Sequence, residues 1–181
     1  MSNPRLFIAV PVSDQVRDVL DNWARTHKKK QPFRKWTHPS DYHITLQFLG
    51  ETAEQRIPDI ISSLQQVKSD RFMLSIGRIG VFGPKGNPRI LWASAENPEN
   101  ALKELQQQVS EHMALLGYEQ EKREFRAHIT LARDYKGDSN FQLSELAELE
   151  GVLQWQVDRL ELMSSQLGST PMYRALHTFD L

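Results

Sequence analysis

The chain has 181 residues, 39% of them hydrophobic and 25% charged, enough to fold one domain or two small lobes sharing a core without a metal or disulfide staple. A formal net charge of −1 excludes the strongly basic profile of a tight nucleic-acid binder, so any nucleic-acid contact should be local. The absence of cysteine excludes disulfides, thiolate nucleophiles and cysteine metal sites.

LFIAVPV (6–12) is a short apolar run rich in branched residues and predicts a buried strand. It is too short for a signal-peptide core, and nothing later approaches a membrane span, so a cytoplasmic location is expected. Ser13 is a candidate N-cap for a helix over 14–27, where Val16, Val19, Leu20 and Trp23 recur at helical spacing. KKKQPFRKW follows as a basic loop leading into a strand. DYHITLQFLG (41–50) alternates like a strand and stops at Gly50.

A second helix is predicted over 53–67, with Ile57, Ile60, Ile61 and Leu64 on one face and Pro58 in its first turns. Strands over 71–82 and 89–96 flank the turn-rich loop GPKGNP. A third helix should span 98–116 and end at Gly117. EFRAHITLAR (124–133) predicts a strand. Residues 134–151 are polar, with SELAELE a candidate short helix. WQVDRLELMSS (155–165) and YRALHTFDL (173–181) close the chain as strands.

The tetrapeptide HITL therefore occurs twice, with its histidines, His43 and His128, 85 residues apart. Each copy follows a predicted helix. This pattern favours an α+β fold of two similar lobes, roughly halves of one domain spanning 1–181, with room for strand exchange between them. Each lobe would contribute one HITL strand to a shared cleft.

Side chains alternate along a strand. Asp41, His43, Thr45 and Gln47 should share one face, and Tyr42, Ile44, Leu46 and Phe48 the other. In the second copy Arg126, His128 and Thr130 oppose Ala127, Ile129 and Leu131. Two imidazoles titrating near pH ~6.5 can act as a paired base and acid around neutrality. Two threonine hydroxyls can donate to non-bridging phosphoryl oxygens. In-line attack at phosphorus needs base and acid on opposite sides, which approximate two-fold symmetry would supply.

A lone strand histidine is more often structural, and His27, His38, His112 and His177 are read that way. A zinc site has little support, since there is neither cysteine nor HExxH. GPKGNP lacks the GK[ST] of a phosphate-binding loop. The cluster HKKKQPFRK (27–35), with Lys85 and Arg89, is either an RNA-backbone guide or a solvated helix end. Trp36 and Phe48 are candidate base-stacking residues, but Phe48 falls on the apolar face, which favours core packing.

HITL twice fits the HxTx signature of the 2H phosphoesterase superfamily. KWTHPSDYHITLQFLGE resembles the first-motif block of bacterial RNA 2′,3′-cyclic phosphodiesterases, also called 2′-5′ RNA ligases, and FRAHITLARD their second. IGVFGPKGNPRILWAS resembles their central hairpin, and DRLELMSSQLGSTPMYRALHTF their last strand pair. The resemblance implies a bilobal pseudo-two-fold arrangement of two antiparallel sheets with helices outside and the active-site cleft between the lobes.

It further implies cofactor-free, metal-independent hydrolysis of an RNA 2′,3′-cyclic phosphate to a 2′-phosphate, with 2′-5′ ligation in the reverse sense for some members. His43 would protonate the leaving 3′ oxygen, His128 would activate water, and Thr45 and Thr130 would hold the phosphate. Arg133 matches a phosphate-contacting arginine, although strict alternation turns it away from His128 unless the strand ends or bulges. Ser40-Asp41 and Tyr42 stand where the family often has Glu-Asn and Leu. Alternatives are a phosphodiesterase for a small cyclic nucleotide or 2′-5′ oligoadenylate, and a non-catalytic RNA-end binding protein. Nothing in the sequence demands more than a monomer.

Overall fold

The computed structural model describes residues 3–151 and 153–181. Nine strands form one curled antiparallel sheet backed by three helices. The strands are β1 (Arg5–Pro11), β2 (Phe33–Trp36), β3 (His43–Glu51), β4 (Phe72–Phe82), β5 (Ile90–Glu96), β6 (His128–Tyr135), β7 (Gln154–Val157), β8 (Arg159–Ser165) and β9 (Tyr173–Asp180). The helices are α1 (Asp14–Lys28), α2 (Ile57–Leu64) and α3 (Ala101–Leu115). Among the described residues no helix is long and apolar enough to cross a membrane.

The strand order is β7-β4-β5-β6-β3-β1-β8-β9, with β2 added beside β6. β3 and β6 touch at a single bridge, Ile44 to Ile129, so the sheet is two antiparallel sheets joined at a seam. The halves match about that seam. β1 pairs with β3 across α1, and β5 pairs with β6 across α3. The outer positions are filled from both ends of the chain: β4 and β7 beyond β5, and β8 and β9 beyond β1.

All three helices pack on the convex face. Val16, Leu20 and Trp23 of α1, Ile60 and Leu64 of α2, and Leu105, Val109 and Met113 of α3 join Ile8, Val10, Ile44, Leu91, Ile129 and Leu131 in one core. Ile44 and Ile129 are fully buried, and each such burial contributes about 1.5–3 kcal/mol to holding the seam closed. Ser13 caps α1 by accepting the Val16 N–H at 3.3 Å. After α3 the chain turns through Gly117, whose φ of +84° favours glycine.

Three expectations change. The second helix is shorter than 53–67, because residues 54–56 form a 3-10 turn and the α-helix ends at Leu64. SELAELE yields only a 3-10 turn at Leu143–Glu145. The strand expected over 155–165 is two strands broken at Asp158, with β7 pairing to β4 and β8 to β1. One apolar pattern thus feeds opposite edges of the sheet, which periodicity alone does not reveal.

Candidate active site

The concave face of the seam carries both motifs. Extending the Ile44–Ile129 register by one residue sets His43 opposite Thr130 and Thr45 opposite His128. Each histidine therefore faces the other motif's threonine, about a local two-fold axis through the two isoleucines. Both strands end in buried apolar residues on the other face, and this fixes which side the imidazoles occupy.

Each imidazole is held by the carbonyl two residues before it. His43 Nδ1–H donates to Asp41 O at 2.7 Å, and His128 Nδ1–H donates to Arg126 O at 2.6 Å. A carbonyl can only accept, so the neutral rings carry the proton on Nδ1 and present a bare Nε2. His43 Nε2 takes the Thr45 hydroxyl at 2.9 Å. His128 Nε2 has no partner among the described residues.

Burial lowers the His43 pKa to about 4. The Asp41 carbonyl bond and the Asp41 charge oppose that fall, while Arg133 and His128 add to it. His128 is also lowered, first by burial and then by Arg133, against the Arg126 carbonyl bond. Both rings are therefore neutral at pH 7 in the free protein.

Arg133 acts on both imidazoles and on Tyr173, so its guanidinium sits among them. Strict alternation does not place it there; a β-bulge does. Trp92 pairs with Thr130 but Leu91 pairs with Ala132, leaving Leu131 as the extra residue. The first motif repeats the device. Ala9 pairs with Thr45 and Ile8 with Gln47, leaving Leu46 extra. The final leucine of each HITL is the bulge, and parity flips after it.

The orphan carbonyls are covered. Leu46 O accepts from Gln106 of α3 at 3.4 Å, and Leu131 O accepts the Thr37 N–H at 2.9 Å. Because of the bulge, Gln47 turns into the core at 6% exposure instead of sharing the histidine face. Phe48 swings the other way. It pairs with Phe7 on the histidine face and is 70% exposed, which overturns its expected place in the core.

Sequence reasoning missed several neighbours of the site. Asp41 is only 5% exposed, and its carboxylate accepts the backbone N–H groups of Met172 and Tyr173 at 2.8 and 3.0 Å. It thereby pins the start of β9 beside His43. Tyr173 lies edge-on to His43 at 5.1 Å, and Phe7 packs on the same ring at 4.9 Å. Phe82 stands edge-on to His128 at 5.1 Å. Trp92 lies 6.4 Å from His128 and 4.9 Å from Phe82. Gly80 pairs with Trp92, and a side chain there would run into the indole.

Of the basic residues, Lys35 pairs with Arg133 in register and reaches the Met172 sulfur at 3.3 Å, so it borders the cleft. Lys28, Lys29, Lys30, Arg34, Lys85 and Arg89 are exposed. Trp36 is half-buried against Phe33. The other histidines have structural partners. His27 bonds Trp23 O at 2.8 Å and accepts the Ala147 N–H at 3.0 Å, and His112 bonds Ser63 at 3.2 Å. His38 accepts the Ser40 N–H at 3.2 Å, and His177 packs on Phe179 at 4.6 Å.

Comparison with known proteins agrees with this geometry. The family model described as LigT like Phosphoesterase matches residues 10–92 and 94–173. The chain is similar to the RNA 2′,3′-cyclic phosphodiesterase of Geobacillus stearothermophilus, with 33% identity over all of this chain and 58% of that protein's length. It is 32% identical to the Bacillus subtilis protein of the same name, over 98% of this chain and 97% of the relative. In fold it is similar to a crystal structure of E. coli LigT complexed with 3′-AMP, with a TM-score of 0.84, 23% identity and 99% of both chains covered.

Proposed function

The chain belongs to the LigT-like phosphoesterase family, and from that membership we propose that it is a metal-independent RNA 2′,3′-cyclic phosphodiesterase working by a two-histidine acid–base mechanism. The substrate comes from the names of the curated relatives. The observation that carries the mechanism is the seam, where two imidazoles of the same tautomer sit on one concave face, each across from the other motif's threonine.

His128 has a bare, unpartnered Nε2 suited to take a proton from water as the water oxygen attacks phosphorus. The bond from phosphorus to the 3′ oxygen breaks, and a proton on His43 Nε2 passes to that oxygen, leaving a 2′-phosphate. The net exchange leaves His128 protonated and His43 neutral, and solvent resets both. A pKa of about 4 keeps His43 neutral in the free protein. A phosphodiester anion beside it favours the charged ring, so substrate binding raises its proton affinity. Once Nε2 carries a proton for the leaving oxygen, the Thr45 hydroxyl is released to donate to the phosphate.

Arg133 and Thr130 complete the cradle for the non-bridging oxygens. Arg133 also bears on the absence of a metal role: a guanidinium among the imidazoles supplies the positive charge that a metal would, and repels a second cation. An RNA 5′-hydroxyl in place of water would give a 2′-5′ linkage by the same bond changes. The test is turnover of an oligoribonucleotide ending in a 2′,3′-cyclic phosphate with EDTA present. Phosphorus NMR should show a 2′-phosphate. A rate abolished by EDTA and restored by zinc overturns the metal-free mechanism, and exclusive 3′-phosphate overturns the assignment of acid and base.

A further inference from the structure

The paired bulges make positions on the two halves comparable one by one. Five residues beyond each motif histidine the chain returns to the concave face. On β6 that position is Arg133, paired with Ile90. On β3 it is Phe48, paired with Phe7. The local two-fold thus sets a cation on one flank of the seam and an exposed aromatic ring on the other. Phe48 is 70% exposed, while Phe7 beneath it is 2% exposed. The rings form a row from the catalytic centre outward, with His43 4.9 Å from Phe7 and Phe7 6.0 Å from Phe48.

Resting on the cyclic-phosphate function above, we infer that Phe48 is a nucleobase-stacking position that holds the terminal nucleotide on the His43 half of the cleft. Every base offers a π-face, and an exposed aromatic beside a phosphate site is the sequence-tolerant way to hold one. The opposite flank is unsuited, because Arg133 occupies the matching place and is drawn to the phosphate. This breaking of symmetry has a mechanistic consequence. Both bridging oxygens of a cyclic phosphate belong to the same ribose, and that ribose carries the base. A base on the His43 half draws the leaving oxygen to that half, and in-line geometry puts the attacking water on the His128 half. The acid and base roles then follow from where the base stacks.

Binding tests this without relying on turnover. The affinities of adenosine 2′-monophosphate and of inorganic phosphate are measured by calorimetry or NMR titration for the wild type, Phe48→Leu and Phe48→Trp. Leucine keeps Phe7 covered but removes the aromatic face. Phe48→Leu should weaken the nucleotide roughly 5- to 100-fold, leave phosphate unchanged, and be rescued by Phe48→Trp. An equal loss on both ligands, no loss on either, or a wild type that binds the nucleotide no better than phosphate overturns the inference. Failure of wild-type turnover on a cyclic phosphate would instead strike the proposed function, and leaves the binding comparison to decide the stacking role on its own.

Discussion

Around His43, Phe7 and Tyr173 close on the ring at 4.9 and 5.1 Å, Thr45 occupies Nε2, and burial holds the pKa at about 4. Around His128, Phe82 stands edge-on at 5.1 Å and Nε2 has no partner among the described residues. Yet the two strands share a tetrapeptide, a carbonyl-held Nδ1 and a bulge at the same leucine. The shared part supplies two proton carriers facing one phosphate. The unshared part decides the direction of proton flow. A duplicated motif can build a symmetric centre, but the reaction it serves is directional, so the chain must break the symmetry in the residues around the motif.

The hardest test of that comparison removes each proton carrier in turn. His43→Ala and His128→Ala should each lower kcat about 10²–10⁴-fold with circular dichroism unchanged. Near-wild-type turnover in either variant would show that the halves are not partners. The threonines give a finer test. Thr45→Val and Thr130→Val should each cost about 1.5–3 kcal/mol in kcat/KM, the size of a hydrogen bond to a charged group. Equal losses mark both as phosphate holders. A larger loss at Thr45, with a changed pH profile, would mean that its bond to His43 Nε2 matters as much as its bond to phosphate.

A smaller effect appears in stability. Burial depresses the folded-state pKa of His43 below its ordinary value, to about 4. As pH falls through about 6.5 the unfolded chain takes up a proton that the folded chain refuses. The stability present above pH ~6.5 is therefore lost progressively down to about 4. His43→Gln removes this contribution, so its melting temperature should fall less than that of the wild type between those limits, as read by scanning calorimetry. Parallel falls in the two proteins would show that His43 is better solvated than its packing indicates.

The sequence carried the kernel of the site plainly. A period of two puts His43 with Thr45 and His128 with Thr130, and the isoleucines between them point to the core in both strands. It failed where one residue changes the period. Nothing in HITLQF or HITLAR marks Leu46 or Leu131 as a bulge, because the carbonyls that tolerate it are satisfied from afar, by Gln106 and Thr37. Phe48 and Gln47 were consequently assigned to the wrong faces, and Arg133 could be placed only conditionally. Strand partners were equally hidden: β7 and β8 are separated by Asp158 alone, yet they lie at opposite reaches of the sheet. Asp41 reads as a turn residue, and its grip on Met172 and Tyr173 spans more than 130 positions.

Asp41 also offers the subtlest probe of the difference between the halves. It is a carboxylate beside one histidine, whereas the matching position before His128 is Arg126, whose side chain is exposed. The Asp41 charge favours protonated His43. In the substrate complex the acid must be protonated, so loss of the His43 proton forms the alkaline limb of kcat, and protonation of His128 forms the acidic limb. Asp41→Asn removes the charge and one of two acceptors for the Met172 and Tyr173 amides, while its backbone carbonyl still holds Nδ1. His43 then releases its proton more readily. The alkaline limb should move to lower pH and the acidic limb should stay, with less than about a tenfold change in the plateau rate. The two limbs belong to a coupled pair, so the same profile in His128→Gln is needed to assign them. If Asp41→Asn lowers the plateau and shifts neither limb, Asp41 acts only as a tether for β9, and the electrostatic difference between the two halves rests on burial and Arg133 alone.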